Sequence, residues 1–410
     1  MANSAPQLFC LDNGVRIVVE PFTHVQSAAI GLWCLTGSRH EREGEAGITH
    51  LIEHMLFKGT ENRTAKQIVQ AIEGRGGVLN AFTDKESTCY YCRVLSEDVA
   101  NGVDVLTDMI RHSLIDSNEL EREKRVVLEE IKRSEDEPDD QVHDLHFQNR
   151  WPSHVLGKPV IGTKESVSSF ERGDLVSYID RRYRGNTLLL SVAGNVDPNA
   201  FRDLVEARLG DLPAEAEETS VPRPRGAGGS SYVEKDVEQV HFCVGTDGVS
   251  LYDDDLYVQA VMDNAMGGGM SSRLFQEIRE RRGLAYAIGS YSSTYTVGGA
   301  WTIYGGTGKQ TWDEVLNVVH AELAKLRHEG LTDAEIEASK LHLRGHIVMG
   351  LEGMSARMMR NARNQLFHKR HIPIEETVGK IDEVTNSDIV AHARRIADPS
   401  HISITAIGPA

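Results

Sequence analysis

DLVSYIDRRYRGNTLLLSVAGNV, residues 174–196, and DIVAHARRIADPSHISITAIGPA, residues 388–410, carry one plan in two places. Each reads as a helix, a short turn and an apolar strand, with Gly194 and Gly408 at equivalent positions near the ends. A second pair of stretches keeps nearly the same spacing. SNELEREKRVVLEEI from Ser117 aligns with DAEIEASKLHLRGHI from Asp333, which brings Glu119 over Glu335 and Lys124 over Lys340. A period of about 200 residues signals duplication of a whole domain and not a solenoid of small repeats. The Pro/Gly/Ser-rich stretch SVPRPRGAGGSS, residues 220–231, reads as a linker. The expectation is therefore an N-terminal domain over residues 1–219 and a homologous C-terminal domain over residues 232–410. Strands and helices alternate in both halves. The predicted fold class is α+β: two homologous repeats, each a mainly antiparallel sheet with helices packed on one face.

The chain has 410 residues, too many for one compact core and enough for two domains. With 44 basic and 61 acidic residues its formal net charge is −17, which argues against nucleic acid or an anionic membrane surface as partner and favours cationic ligands. The first stretch, MANSAPQLFCLDNGVRIVVE, has neither a basic leader region nor an apolar run of signal-peptide length. No window approaches the ~18 apolar residues of a membrane span. The cysteines, Cys10, Cys34, Cys89, Cys92 and Cys243, are odd in number and dispersed, which favours a reducing compartment and predicts a cytoplasmic protein. Cys89 and Cys92 form a C-x-x-C inside a strand pattern with no second pair, a poor zinc site. GGTGKQT, residues 305–311, falls short of a phosphate loop because Ile303 and Gln310 stand where Gly and Ser or Thr are required, so a strand-to-helix turn is expected.

Chemistry concentrates in GEAGITHLIEHMLFKGT, residues 44–60, which contains H-L-I-E-H from His50 to His54. Histidines four apart lie on one helix face, and Glu53 projects close to it. Two imidazoles and a carboxylate can thus share one metal and one water. A catalytic zinc wants three protein ligands and an open position. The candidate region for the third is ELEREKRVVLEEIKRSEDEPDD, residues 119–140, read as a helix with Val126, Val127 and Ile131 on its apolar side. Glu123 and Glu130 stand two turns apart beside that stripe, where a carboxylate needs a partner. In the duplicated register Ser339 falls opposite Glu123 and His346 opposite Glu130, and the second half holds no H-x-x-E-H. Metal-ligand chemistry is expected in the first half alone.

Together these stretches resemble the inverzincin metallopeptidases, the family of pitrilysin, insulin-degrading enzyme and mitochondrial processing peptidase. GSRHEREGEAGITHLIEHMLFKGT, GGVLNAFTDKESTCYY, SEDEPDD, HVLGKPVIGT and GGGMSSRLFQEIRERRGLAYAI are all similar to family blocks, so the likeness spans nearly the whole chain. Its size is similar to that of the short bacterial and mitochondrial-processing branch. The resemblance implies one Zn2+ per chain held by His50, His54 and Glu130, with Glu53 as general base. It implies that Glu123 lies beside the metal, orienting a ligand or tuning its charge. An R-x6-Y pattern in the second repeat implies that Arg279 and Tyr286 stabilise the oxyanion. N-A-F-T resembles a substrate-binding edge strand, which implies that Asn80 and the backbone of Ala81 contact the peptide, with Phe82 in the core.

The expected activity is that of a zinc metalloendopeptidase cleaving short or unfolded peptides, with basic ones favoured by the acidic balance. Zinc-bound water would be the nucleophile. In relatives of this size two chains close around a chamber. Both halves of the site are intact here, so a homodimer is the simplest assembly and a heterodimer with an inactive sister chain the alternative. The competing reading is a non-catalytic scaffold subunit of the same fold.

Overall fold

The computed structural model describes residues 5–410, so the first four residues of the expected N-terminal domain and of the leader reading lie outside the described residues. Two compact units emerge. One comprises the chain up to Ile131, Pro159–Ser220 and Gly350–Ile372; the other comprises Lys132–Lys158, Val221–Met349 and Pro373–Ala410. The passage at Ser220 falls inside the Pro/Gly/Ser-rich stretch.

The first half runs β1 (Gln7–Cys10), β2 (Arg16–Pro21), β3 (Ser27–Cys34), α1 (Ile48–Leu56), α2 (Ala65–Glu73), β4 (Val78–Thr83) and β5 (Thr88–Leu95). It continues through α3 (Val99–His112), α4 (Ser117–Asp136), α5 (Pro138–Arg150), α6 (Lys164–Ser169), α7 (Arg172–Arg182), β6 (Leu188–Gly194) and α8 (Pro198–Leu209). The second half runs β7 (Gly229–Glu234), β8 (Gln239–Gly248), α9 (Leu256–Gly267), a π-helix (Phe275–Glu280), β9 (Ala285–Tyr295) and β10 (Gly298–Gly308). It closes with α10 (Trp312–His328), α11 (Asp333–Gly350), α12 (Met354–Arg363), α13 (Ile374–Asp382), α14 (Asn386–Ile396) and β11 (Ser403–Gly408). GGTGKQT is the end of β10 and the turn into α10.

Strand order in the first sheet is β1-β2-β6-β3-β5-β4 and in the second β7-β11-β8-β10-β9. Apart from the extra β1, the two orders superimpose: β7 answers β2, β11 answers β6, β8 answers β3, β10 answers β5 and β9 answers β4. Pairing is antiparallel except for β2 with β6 and β7 with β11. This is the α+β duplication expected. Apolar runs explain the centre of each sheet: β6, Leu-Leu-Leu-Ser-Val-Ala-Gly, is buried along its whole length. One face of the first sheet packs Ile30, Leu32, Leu190 and Val192 against Leu51, Met55, Val103, Val127 and Phe201 of its helices. The second sheet does the same with Phe242, Val244, Trp301 and Ile303 against Val261, Met266, Val319 and Ile389.

Each opposite face receives one helix from the other half of the sequence, α12 on the first sheet and α5 on the second. A glycine makes room in both cases. A Cβ at Gly31 of β3 would lie 2.5 Å from Met358 Sδ, and one at Gly245 of β8 would lie 2.1 Å from His146 Nε2. A buried charge locks each helix in place. Glu20 of β2 accepts from Arg357 Nη1 and Asn361 Nδ2, each at 2.7 Å. Arg150 of α5, fully buried, donates to Asp247, to the carbonyl of Gly245 and to Ser403 Oγ. Removing one partner of such a pair strands the other charge, at a cost of about 3–5 kcal/mol. Among the described residues, no helix is long and apolar enough to cross a membrane.

Candidate metal centre

Helix α1 buries Ile48, Leu51, Ile52, Met55 and Leu56 in the first core, which turns His50, Glu53 and His54 to its other side. Its start is fixed from outside the helix. Gly47 has a φ of 89°, in the left-handed region that favours glycine, and no side chain of its own to cap with. The Glu41 carboxylate accepts instead from the N–H groups of Gly47 at 3.0 Å and Thr49 at 3.1 Å. A negative group at a helix N-terminus is favourable. Burial nevertheless pushes the Glu41 carboxyl up to about 7, against the pull of those N–H groups.

The third element is α4. Leu120, Val127 and Ile131 hold it to the core. Val126, expected on that apolar side, is 43% exposed, because it shares the outer flank of the helix with Glu130. Glu123, two turns earlier, is buried.

Ligand atoms of His50, His54 and Glu130 all lie within 4.8 Å of one another, the one such group of three among the described residues. The imidazole rings of His50 and His54 are 4.7 Å apart, and His54 Nε2 lies 3.7 Å from Glu130 Oε2. Ligands sharing a tetrahedral zinc stand about 3.3–3.5 Å apart, so a small inward movement completes the set. Two further observations fit a metal. Among the described residues His50 Nδ1 is buried with no hydrogen-bond partner, and burial beside His54 lowers the His50 imidazole to about 4, leaving it neutral and able to ligate. On the far side of His54, Nδ1 faces Glu123 Oε2 at 3.2 Å, which holds the ring with Nε2 towards the cluster. Glu123 Oε1 is taken by Lys58 Nζ at 2.7 Å, so this carboxylate is engaged on both oxygens.

Glu53 sits on the same helix face. Burial raises its carboxyl above the ordinary range, while a hydrogen bond from Thr83 and the nearby His54 pull it back. Thr83 Oγ1 donates to Glu53 Oε2 at 2.5 Å. Thr83 ends β4, the outermost strand of its sheet. The bond from Asp84 N to Ser87 O, at 2.9 Å, sets the alternation of the β4–β5 ladder. Leu79, Ala81 and Thr83 therefore turn their main-chain N–H and C=O groups to the open edge. Ala81 N–H currently rests on Asn80 Oδ1 at 2.8 Å. Phe82 is half-buried, edge-on to Trp33.

Arg279 and Tyr286 belong to the second unit and meet there. Arg279, on the π-helix, places its guanidinium 4.7 Å from the ring centroids of both Phe275 and Tyr286. Tyr286, at the start of the outer strand β9, is 78% exposed. Lys58, Thr83 and Glu41 were not singled out by the sequence reading. Lys58 had a weak signal, standing four residues beyond His54, although α1 ends before it at Leu56. Thr83 acts across the fold and Glu41 on residues six and eight positions ahead, and neither had a signal beyond lying in motif-rich stretches.

Two histidines and a glutamate able to share a metal, on one of two duplicated α+β units, define a class of protein, and comparison with known families places the chain within it. The chain belongs to the insulinase family, peptidase family M16: the family's model matches residues 16–164, and that of the peptidase M16 inactive domain matches residues 169–343. It is 40% identical over 388 residues to the uncharacterized zinc protease YmxG of Bacillus subtilis, covering 95% of each chain. In fold it is similar to a protease from Helicobacter pylori, with a TM-score of 0.90 at 20% identity over 100% of both chains. It is also similar in fold to a chain of complex III2 from Candida albicans, with a TM-score of 0.84 at 18% identity over 98% of this chain and 95% of that one.

Proposed function

We propose that this chain is a zinc-dependent metalloendopeptidase acting on short or unfolded peptides. The observation that carries the reading is the convergence of His50, His54 and Glu130 with Glu53 on the same helix face. The relatives named as zinc proteases lend it support. The donor set, two imidazoles and one carboxylate, suits Zn2+, one per chain, with a position left open. Bound there, zinc supplies a Lewis acid that lowers the pKa of water to about 7 and polarises the scissile carbonyl.

The protein's own groups divide the remaining work. An extended peptide lies along β4 as an added strand, bonding main chain to main chain at Ala81, with Asn80 swinging off the Ala81 N–H to meet it. Glu53 takes the proton of the attacking water and returns it to the leaving amine. Arg279 and Tyr286 supply donors to the oxyanion. They do so from the second unit, in a homodimer whose two chains close around a chamber that excludes folded proteins, with a pairing to an inactive sister chain as the alternative assembly. A net charge of −17 favours basic peptides. The free state of all five cysteines suits a cytoplasmic setting.

The test is metal analysis of the wild type and Glu53→Gln, with a peptide-library cleavage assay on both. The expected result is about one zinc per chain in each and cleavage by the wild type alone, because removing the base spares the ligands. Full activity in Glu53→Gln would refute the assignment of the base. A wild type that holds zinc and cleaves nothing favours a non-catalytic subunit of the same fold.

A further inference from the structure

Glu53 has one hydrogen-bond donor among the described residues, the hydroxyl of Thr83 on Oε2. That hydroxyl is not needed to hold its own strand. The β4–β5 hairpin closes through Asp84, whose Oδ1 accepts from the N–H groups of Glu86 and Ser87 at 2.6 Å and whose Oδ2 accepts from Ser87 Oγ at 3.0 Å. Thr83 is also the last residue of β4, with its main chain turned to the open edge. One residue therefore ends the surface on which a peptide would be laid and fixes one oxygen of the carboxylate that would act on it.

We propose that Thr83 is a positioning residue. Its hydroxyl occupies Oε2, sets the plane of the Glu53 carboxylate and leaves Oε1 to receive the proton. The seating of a peptide on β4 is thereby linked to the placement of the base. The proposal rests on the peptidase reading. In that reaction the water oxygen bonds to the carbonyl carbon and its proton passes to Glu53. The C–N bond then breaks as this proton reaches the amine nitrogen, so that the carboxylate is restored and an acid and an amine are released. Thr83 keeps its own proton throughout. A carboxylate free to turn about its terminal bond presents the wrong oxygen part of the time, and a misplacement of about 1 Å in a catalytic group can cost about 100-fold in rate.

Five proteins test this: wild type, Thr83→Val, Thr83→Ser, Glu53→Gln and the double variant Glu53→Gln with Thr83→Val. Zinc per chain, melting temperature, kcat and KM are measured on one fluorogenic peptide, and its Kd is measured on the two proteins that carry Glu53→Gln. Thr83→Val should keep its zinc and melting temperature and hold KM within about 3-fold, while kcat falls about 10–100-fold. Thr83→Ser, which keeps the hydroxyl, should recover kcat to within about 3-fold. On the Glu53→Gln background, where no cleavage is expected, adding the valine should leave the peptide Kd unmoved, because a residue acting through Glu53 has nothing left to act on. A crystal structure of Thr83→Val should show the Glu53 carboxylate turned from its wild-type plane, a readout that needs no turnover.

The proposal is overturned by a Thr83→Val kcat within about 2-fold of wild type, by a serine variant as slow as the valine, by a rate loss that tracks lost zinc, or by an unmoved Glu53. Wild-type activity in Glu53→Gln is a different failure, that of the base assignment itself.

Discussion

Helices α1 and α9 hold the same place in their units, following the matched strands β3 and β8 and packing against the outer strands β4 and β9. Their polar faces have taken opposite courses. In the first unit Glu53 has a single donor among the described residues, Thr83, and shares its helix face with two histidines. In the second, Asp263 of α9 is saturated: Ser290 Oγ donates at 2.6 Å, Trp301 Nε1 at 2.7 Å and Ser292 Oγ at 3.3 Å. Its neighbour Asn264 spends its amide on His342 Nδ1 at 2.9 Å, across to α11, the helix that answers α4. Where Glu123 and Glu130 stand in α4, α11 presents Ser339 and His346. A carboxylate with one donor has an oxygen to spare for a proton, whereas one with three donors is a strut. Duplication supplied the same scaffold twice, and the hydrogen-bond count on one acidic side chain separates the two outcomes.

The comparison can be broken most sharply at aligned positions. His54→Ala or Glu130→Gln should abolish zinc binding and lower peptide cleavage about 1,000-fold or more, whereas His346→Ala, the aligned change in the second unit, should leave both within about 2-fold; metal analysis and kcat/KM decide it. Glu123→Ala frees the His54 ring and should weaken zinc about 10–100-fold, read by competition with a chelating dye, with the fold intact by circular dichroism. Asp263→Ala should act on stability and not on chemistry, strandng Trp301 and Ser290 at a cost of about 1–3 kcal/mol in a denaturant titration while zinc content is kept. The smallest effect concerns the start of α1. Burial raises the folded-state pKa of Glu41 from the ordinary 4.5 to about 7, so the folded protein binds the extra proton between these values. Its stability contribution is full below about 4.5 and is lost as pH rises through about 7. Replacing Glu41 with Gln should flatten that part of the stability–pH curve, measured by urea unfolding at several pH values.

Much of this was legible in the sequence because it is local. The H-L-I-E-H spacing puts three groups on one helix face whatever the rest of the chain does. The duplicated helix–turn–strand stretches announced two units of one plan, and the aligned Ser339 and His346 already set the second half apart. Val126 lies outside the core because α4 turns the flank it shares with Glu130 outward, which a count of apolar residues does not register. The exchange of α5 and α12 between sheets left no pattern to read. A helix that packs on a second sheet has the same amphipathic spacing as one that packs on the first, and the glycines that admit it, Gly31 and Gly245, look like any others in a strand. Glu41 and Thr83 were silent for a related reason. Each acts by where its polar atoms arrive in space, and a single sequence does not encode that distance.

Anomalous diffraction at the zinc edge on crystals of the wild type puts the claim to the most direct test, since it counts metal ions and places each one. The account predicts one strong peak per chain, bounded by His50, His54 and Glu130, with Glu53 beside it but not bound, and no peak between α9 and α11. A peak held by the second unit, or Glu53 taking the open position as a fourth ligand, would contradict it.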